Sequence, residues 1–87
     1  MPTKYEPLEM YLRATPSAVK QLTLKLSELA QIIGAPLPDS AFTHRPWWAN
    51  QKNSKTRPQA HAWLAASFVV EGVNQSRTNG WVRFKRQ

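Results

Sequence analysis

The sequence predicts a small α+β domain in which short helices precede a C-terminal β-hairpin. Three observations lead to this fold class: apolar residues at helical spacing near the N-terminus, a strictly alternating run at 19–26, and an Asn-Gly turn between two strand-like segments. The chain has 87 residues, so we expect one domain over residues 1–87. The predicted order of elements is α-β-α-α-(α)-β-β, with a small antiparallel sheet in a compact domain.

The first half of the chain supplies three helices and one strand in this prediction. EPLEMYLRAT predicts a helix that ends before Pro16, and VKQLTLKL alternates leucines with polar residues as a half-buried strand does. SELAQIIG predicts the second helix, with Ser27 as its N-cap and Gly34 as its stop. SAFTH predicts a third, short helix that Pro46 ends or kinks.

The second half begins with a polar stretch at 50–59, which predicts a loop. PQAHAWLAAS then predicts an extra helix, since Pro58 suits a first helical turn and Trp63 and Leu64 share one face with Ala60. The helix therefore leads directly into the terminal hairpin.

The hairpin consists of FVVEGV and WVRFKR around an Asn-Gly turn. Its register is open: a two-residue loop would pair Thr78 with Trp81, and a five-residue loop would pair Glu71 with Lys85. Strand alternation gives the same faces in either register. One face carries Trp81, Arg83 and Lys85, and the other carries Val82 and Phe84.

The order of elements resembles that of a winged helix-turn-helix domain with one insertion. In LTLKLSELAQIIG a strand leads into a helix with Ala30 four residues before Gly34, as in the first helix and turn of many bacterial helix-turn-helix proteins. A small Ala lets the next helix pack closely, and Gly accepts the positive φ of the turn. The resemblance implies a winged-helix-like DNA-binding fold, with SAFTHR or PQAHAWLAAS as the helix that would read a groove.

A second resemblance covers nearly the whole chain. It rests on three segments: KYEPLEMYL, LTLKLSELAQIIGAPLPDSAFTHRPWWAN and AHAWLAASFVVEGV…VRFKR. Together they are similar to a family of small, uncharacterised bacterial domains with the pattern LP-x-SA-x-x-H/Y-R-x-WW-x-N, followed by a Trp-bearing helix and a basic terminal strand. The resemblance implies no function. The matching residues here are Leu37, Pro38, Ser40, Ala41, His44, Arg45, Trp47, Trp48, Asn50 and Trp63.

Charge is distributed very unevenly along the chain. Residues 1–43 carry four basic and four acidic side chains, whereas residues 44–87 carry eight basic side chains and Glu71 as their acid. The whole formal net charge of +7 therefore lies in the C-terminal half. Such asymmetry favours a polyanionic partner, most often nucleic acid, and DNA more than RNA.

The adjacent tryptophans Trp47 and Trp48 cannot face the same way on a strand or a helix. This geometry predicts one of them buried and the other partly exposed, whereas the aromatic content of so small a domain favours burial of both in the core. An exposed indole beside Arg45 would stack on a base, and Asn50 would contact a base edge or cap the chain.

The predicted nucleic-acid contacts combine these residues with the basic loop and hairpin. Trp81, Arg83 and Lys85 form a surface if Val82 and Phe84 face the core; the alternative is that these basic side chains only protect an edge strand. The predicted contact residues are Arg45, Trp48, Asn50, Lys52, Lys55, Arg57, Arg77, Trp81, Arg83, Lys85 and Arg86.

Enzymatic chemistry has few candidate residues. His44 and His61 lie seventeen residues apart, the five acids are scattered, and cysteine is absent. No metal-ligand spacing, phosphate-binding glycine loop or paired carboxylate follows from this sequence, so we predict no catalytic residue, metal site or cofactor. We also expect no membrane segment and a cytoplasmic location.

The sequence therefore predicts a non-enzymatic nucleic-acid-binding domain. The alternative is a protein-interaction module, such as an accessory or antagonist subunit in a bacterial or phage system, that docks on an acidic partner. A third possibility is the DNA-targeting part of a nuclease whose catalytic centre lies on another chain.

Overall fold

The computed structural model describes residues 4–51 and 58–87 and confirms a mixed α+β fold. The elements follow in the predicted order, and a short 3-10 helix is added after the third α-helix. They are α1 Glu6–Ala14, β1 Gln21–Lys25, α2 Leu26–Ile33, α3 Ser40–Thr43, the 3-10 helix Arg45–Trp48, α4 Pro58–Ala65, β2 Phe68–Asn74 and β3 Trp81–Arg86. Among the described residues, no helix has the length and apolar character needed to cross a membrane.

The three strands form an antiparallel sheet in the order β1-β3-β2, so the last strand of the chain lies in the middle. Leu24 pairs with Val82, and Val70 pairs with Phe84. These side chains are buried and make the sheet's contribution to the core. Because side chains alternate along a strand, the odd-numbered residues of β3 face away from the core, as the sequence predicted.

The hairpin adopts neither of the two registers predicted from the sequence. Asn74 pairs with Trp81 and Val69 pairs with Lys85, which leaves residues 75–80 as the loop. Ser76 N–H donates to Oδ1 of Asn74 at 2.9 Å, so a side chain rather than a two-residue turn shapes the loop's start. The Asn-Gly pair therefore ends this loop instead of forming it.

The helix boundaries near Gly34 agree with the prediction only at the C-terminal end. Gly34 has φ 72° and its N–H donates to the carbonyl of Ala30 at 2.9 Å, which ends α2 as expected. The N-cap, however, is Lys25 and not Ser27. β1 runs directly into α2, so the helix begins at Leu26. The Lys25 N–H donates a hydrogen bond to Oε1 of Glu28 at 2.9 Å, as in a capping box.

A continuous row of aromatic rings runs through the core. Tyr5, Trp47, Trp48, Trp63 and Phe84 contact one another in that order, with centroid separations between 4.6 and 6.0 Å. Trp47 is 7% exposed and Trp48 is 0% exposed, so burial of both is confirmed and the geometric expectation that one of them is exposed is wrong. The two rings do diverge, but Tyr5 covers one and Trp63 covers the other.

Candidate nucleic-acid interface

The side of the sheet opposite the core carries the candidate interface, which we call the outer sheet face. Its central row comes from β3, where the sequence predicted it, and β1 adds a polar row beside it. Cross-strand pairing places Lys25 next to Trp81 and Thr23 next to Arg83. The outer sheet face comprises Gln21, Thr23, Lys25, Val69, Glu71, Gly72, Asn74, Trp81, Arg83 and Lys85.

Trp81 and Arg83 are held together on this face. The guanidinium carbon of Arg83 lies 5.0 Å from the centre of the Trp81 ring, which is the geometry of a cation–π contact. Both residues are half-buried. Gly72 lies beside the indole, since a Cβ built there would be 3.9 Å from Cζ3 of Trp81. The indole is therefore supported on the sheet while part of it remains accessible.

A carboxylate lies on the outer sheet face at a bulge in β2. The pairing shifts between Val70 and Gly72, and the extra residue is Glu71. Its carboxylate lies 4.0 Å from Nη1 of Arg83 and 3.9 Å from Nζ of Lys85, and it accepts a hydrogen bond from Nε2 of Gln21 at 2.6 Å. Two of the predicted phosphate-binding cations thus share one internal anion. These exposed pairs are weak and would be screened by salt.

Arg77 lies in the loop between β2 and β3, beside the outer sheet face. Its Nη2 is 3.1 Å from Oδ1 of Asp39, and its guanidinium stacks over the Phe42 ring at 4.6 Å. The Asp39 side chain is 89% exposed, so this ion pair is largely hydrated. Arg77 is therefore accessible, but its orientation depends on α3.

Arg86 has a structural role that differs from its predicted phosphate contact. Its Nε donates to the carbonyl of Val19 at 3.0 Å, and its Nη2 donates to the carbonyls of Thr15 and Pro16 at 3.2 and 3.0 Å. Its guanidinium also lies over the Phe68 ring at 4.6 Å. Because side chains alternate along β3, Arg86 lies on the same face as Val82 and Phe84 and points away from the outer sheet face. Its hydrogen bonds connect the α1–β1 link to the sheet.

Asn50 likewise commits its side chain to hydrogen bonds within the fold, although the residue is exposed. Its Oδ1 accepts hydrogen bonds from Nε1 of Trp63 at 3.0 Å and from the Val70 N–H at 2.8 Å. Its Nδ2 donates to the Val70 carbonyl at 3.1 Å. The predicted base-edge contact is therefore replaced by a bridge between α4 and β2.

The remaining predicted contacts separate into three groups. Trp48 is fully buried and its Nε1 donates to the Ala41 carbonyl at 2.9 Å, so it is not available for stacking on a partner. Arg45 is exposed on the 3-10 helix, which packs on the core side of the sheet and not on the outer sheet face. The loop cations lie outside the described residues: Lys52, Lys55 and Arg57.

The model of a protein family described as "Domain of unknown function (DUF7662)" matches residues 5–86. The chain belongs to this family. No curated protein and no solved structure matches the chain. The DUF7662 match extends from the aromatic row at Tyr5 to the end of β3, and it therefore includes both the core and the outer sheet face.

In this DUF7662 domain, sequence reasoning missed two residues that shape the outer sheet face. Lys25 extends the cationic row onto β1, and the alternation of QLTLK already placed it opposite the leucines. Glu71 opposes two cations; alternation from Val69 already places it on this face, and Gly72 in FVVEGV is the local signal for the bulge beside it.

The histidines of the DUF7662 domain lie apart. His44 follows the end of α3, and His61 is exposed on α4 with Nε2 at 4.0 Å from Glu9. Within residues 4–51 and 58–87, no group of three or more His, Cys, Asp or Glu side chains is placed to hold a metal ion.

Proposed function

We propose that this domain binds nucleic acid through the outer sheet face. The observation that carries the proposal is the joint placement of Trp81, Arg83 and Lys85 on the central strand, with Lys25 beside them on β1. Three cations and one carboxylate leave this face positively charged, and an accessible indole lies among them. Cations track a phosphate backbone, while an indole stacks on bases regardless of their sequence.

The helices do not favour groove reading as the mode of binding. α3 has four residues, and α4 buries Gln59, Ala60, Ala62 and Trp63 within its eight. A recognition helix needs a free face of several side chains in the major groove. A winged helix-turn-helix relationship remains part of this proposal, with the sheet and its hairpin, and not a helix, as the contact.

A salt titration tests the proposal. We would measure the fluorescence anisotropy of labelled single- and double-stranded 20-mers against the wild type at several salt concentrations. Each neutralised phosphate contributes a slope of about −0.9 on duplex DNA, or about −0.7 on a single strand, to the log–log salt dependence. Arg83→Ala/Lys85→Ala should flatten that slope by up to about 1.8 on duplex DNA or about 1.4 on a single strand.

The matched control is Lys4→Ala/Arg13→Ala, which removes the same formal charge from α1 and the residues just before it. This control should bind nearly as the wild type does. Wild-type affinity that stays constant as salt rises, or an equal loss in the control, would overturn the proposal.

The alternative, an acidic protein partner, predicts a different outcome for the same purified protein. A stable complex with an acidic protein that survives nuclease treatment, without any oligonucleotide binding, would favour that partner. The basic half of the chain fits both partners, whereas the accessible indole between the cations supports the nucleic acid.

A further inference from the structure

A cleft opens at the Trp81 end of the outer sheet face. Its volume is about 730 Å³, and its walls come from the start of α2, the α2–α3 link, α3 and the β2–β3 loop. This volume lies within the range of about 300–1,000 Å³ typical of small-molecule sites. The residues that line it include Lys25, Leu26, Leu37, Phe42, Arg77 and Trp81.

The walls of the cleft are mainly apolar, with polar groups from the loop. Leu26 and Leu37 are buried, whereas Phe42 and Trp81 are half-buried with part of each ring accessible. Ser76, Thr78 and Asn79 line the loop side. Flat apolar surfaces combined with a few hydrogen-bonding groups match a nucleobase, which has apolar faces and polar edges.

The charges at the cleft favour an anionic ligand that continues outside it. Lys25 and Arg77 both line it, and Glu28 is the carboxylate among its lining residues. Glu28 already accepts the Lys25 N–H at 2.9 Å. Lys25 and Trp81 belong to the outer sheet face as well as to the cleft, so a strand bound along that face would pass the mouth of the cleft.

We propose that this cleft holds one unpaired nucleobase of a strand that lies along the outer sheet face. The inference rests on the proposed function and adds the form of nucleic acid to it. A base in an intact duplex is paired and stacked, and its removal from the stack costs a few kcal/mol. The domain therefore prefers single strands, loops or extruded bases to regular duplex.

The test compares labelled 15-mers of thymidine, of uridine and of base-free abasic units, together with a duplex of equal length. Base stacking is worth about 1–3 kcal/mol per base, so the wild type should bind the thymidine or uridine strand at least about fivefold more tightly than the abasic strand. It should also bind that strand more tightly than the duplex. The stronger of the two base-bearing strands indicates DNA or RNA.

Ser27→Trp fills the mouth of the cleft from an exposed position on α2. This variant should bind the base-bearing strand only as tightly as the abasic one, with its salt dependence unchanged. The control is Ser17→Trp, the same substitution at an exposed position in the α1–β1 link, and it should bind as the wild type does.

The outcomes separate the two proposals. If base-bearing and abasic strands bind equally and the affinity falls with salt, the cleft proposal is overturned while polyanion binding stands. Tighter binding of the duplex than of either base-bearing strand also overturns the cleft proposal. If no oligonucleotide binds, both proposals fall. The comparison of strands uses the wild type alone, so it remains decisive even if Ser27→Trp fails to fold.

Discussion

Asn50 shows how a single polar side chain fixes the position of two elements. Its Oδ1 and Nδ2 together serve the Trp63 indole and both backbone groups of Val70. β2 is an edge strand, and Asn50 hydrogen-bonds to the N–H and carbonyl of Val70 as a residue of a neighbouring strand would. The side chain therefore contributes to folding, whether or not the domain binds a partner.

Asn50→Ala should lower the free energy of unfolding by about 2–4 kcal/mol, because it leaves partly buried donors and an acceptor without partners. Urea denaturation of the variant and the wild type measures this difference. Gln31→Ala, at an exposed position on α2, is the control and should change the free energy by no more than about 0.5 kcal/mol. A similarly small change in Asn50→Ala would show that the bridge is dispensable.

Tyr5 gives the fold a sensitivity to alkaline pH. Its ring is 6% exposed, and burial raises the pKa of its phenol above 10.0. The folded state thus keeps the phenol proton to a higher pH than the unfolded chain does. Stability linked to this group is complete below about pH 10 and is lost as the pH rises through the folded-state pKa.

Tyr5→Phe removes that ionisation. Its free energy of unfolding should fall less steeply than that of the wild type as the pH rises above about 10. Urea denaturation at several pH values measures the two slopes, and Tyr11→Phe on the exposed side of α1 is the control. Identical slopes in Tyr5→Phe and the wild type would refute the assignment.

At the scale of elements, the hairpin depends on a glycine that has no room for a side chain. A Cβ at Gly80 would meet the backbone oxygens of Ser76 and Asn74, the latter at 2.6 Å, and Cδ1 of Leu26 at 2.8 Å. Backbone oxygens cannot move aside without opening the loop. The Gly80 carbonyl also accepts the Leu26 N–H at 3.0 Å, which joins the loop to the start of α2.

Gly80→Ala should therefore destabilise the domain by more than about 2 kcal/mol, since steric conflict with backbone shifts both the loop and α2. Gly72→Ala in the same hairpin is the matched control, because its Cβ would make only an ordinary contact with Trp81. Thermal unfolding followed by circular dichroism compares them. Equal melting temperatures for the two variants would contradict the steric account.

The sequence predicted the type and order of the elements because their signals are local. The leucine alternation of β1 and the proline in the first turn of the 3-10 helix each act within a few residues. The predicted register of the hairpin was wrong because the hairpin loop also contacts α2. Gly80 in this loop lies against Leu26, which is more than fifty positions away in the sequence. The geometric expectation for the two tryptophans was wrong for a related reason: local geometry gives their divergence but not what covers each ring.

In the candidate interface too, local signals were predicted correctly and contacts between distant residues were not. Strand alternation placed Trp81, Arg83 and Lys85 on one face, and the structure confirms this arrangement. Alternation also placed Arg86 on the opposite face, a signal that the prediction of phosphate contacts overlooked. Asn50 could not be predicted in its role, since its partners lie 13 and 20 residues away.

At the scale of the whole molecule, acidic side chains temper the charge of the C-terminal half without cancelling it. Asp39 pairs with Arg77, and Glu71 lies within 4.0 Å of both Arg83 and Lys85. The formal net charge is still +7. Glu71 is therefore an internal competitor for phosphate on the outer sheet face.

Glu71→Gln should raise the affinity for oligonucleotides by a factor of about 1.4 to 5, because an exposed ion pair is worth about 0.2–1 kcal/mol. The salt titration described above measures it. Glu6→Gln, which removes a carboxylate from α1, is the control for net charge and should have a smaller effect. Equal gains in the two variants would mean that overall charge, not the position of Glu71, sets the affinity.

The aromatic row also determines what an optical experiment on this protein would detect. Trp47, Trp48 and Trp63 are buried in mutual contact, whereas Trp81 is half-buried on the outer sheet face. Excitation energy absorbed by the three clustered indoles can pass among them and is shielded from the solvent. Quenching by a neutral, water-soluble agent should therefore report on Trp81, and a Trp81→Phe variant measures the emission of the three buried indoles that the agent does not reach.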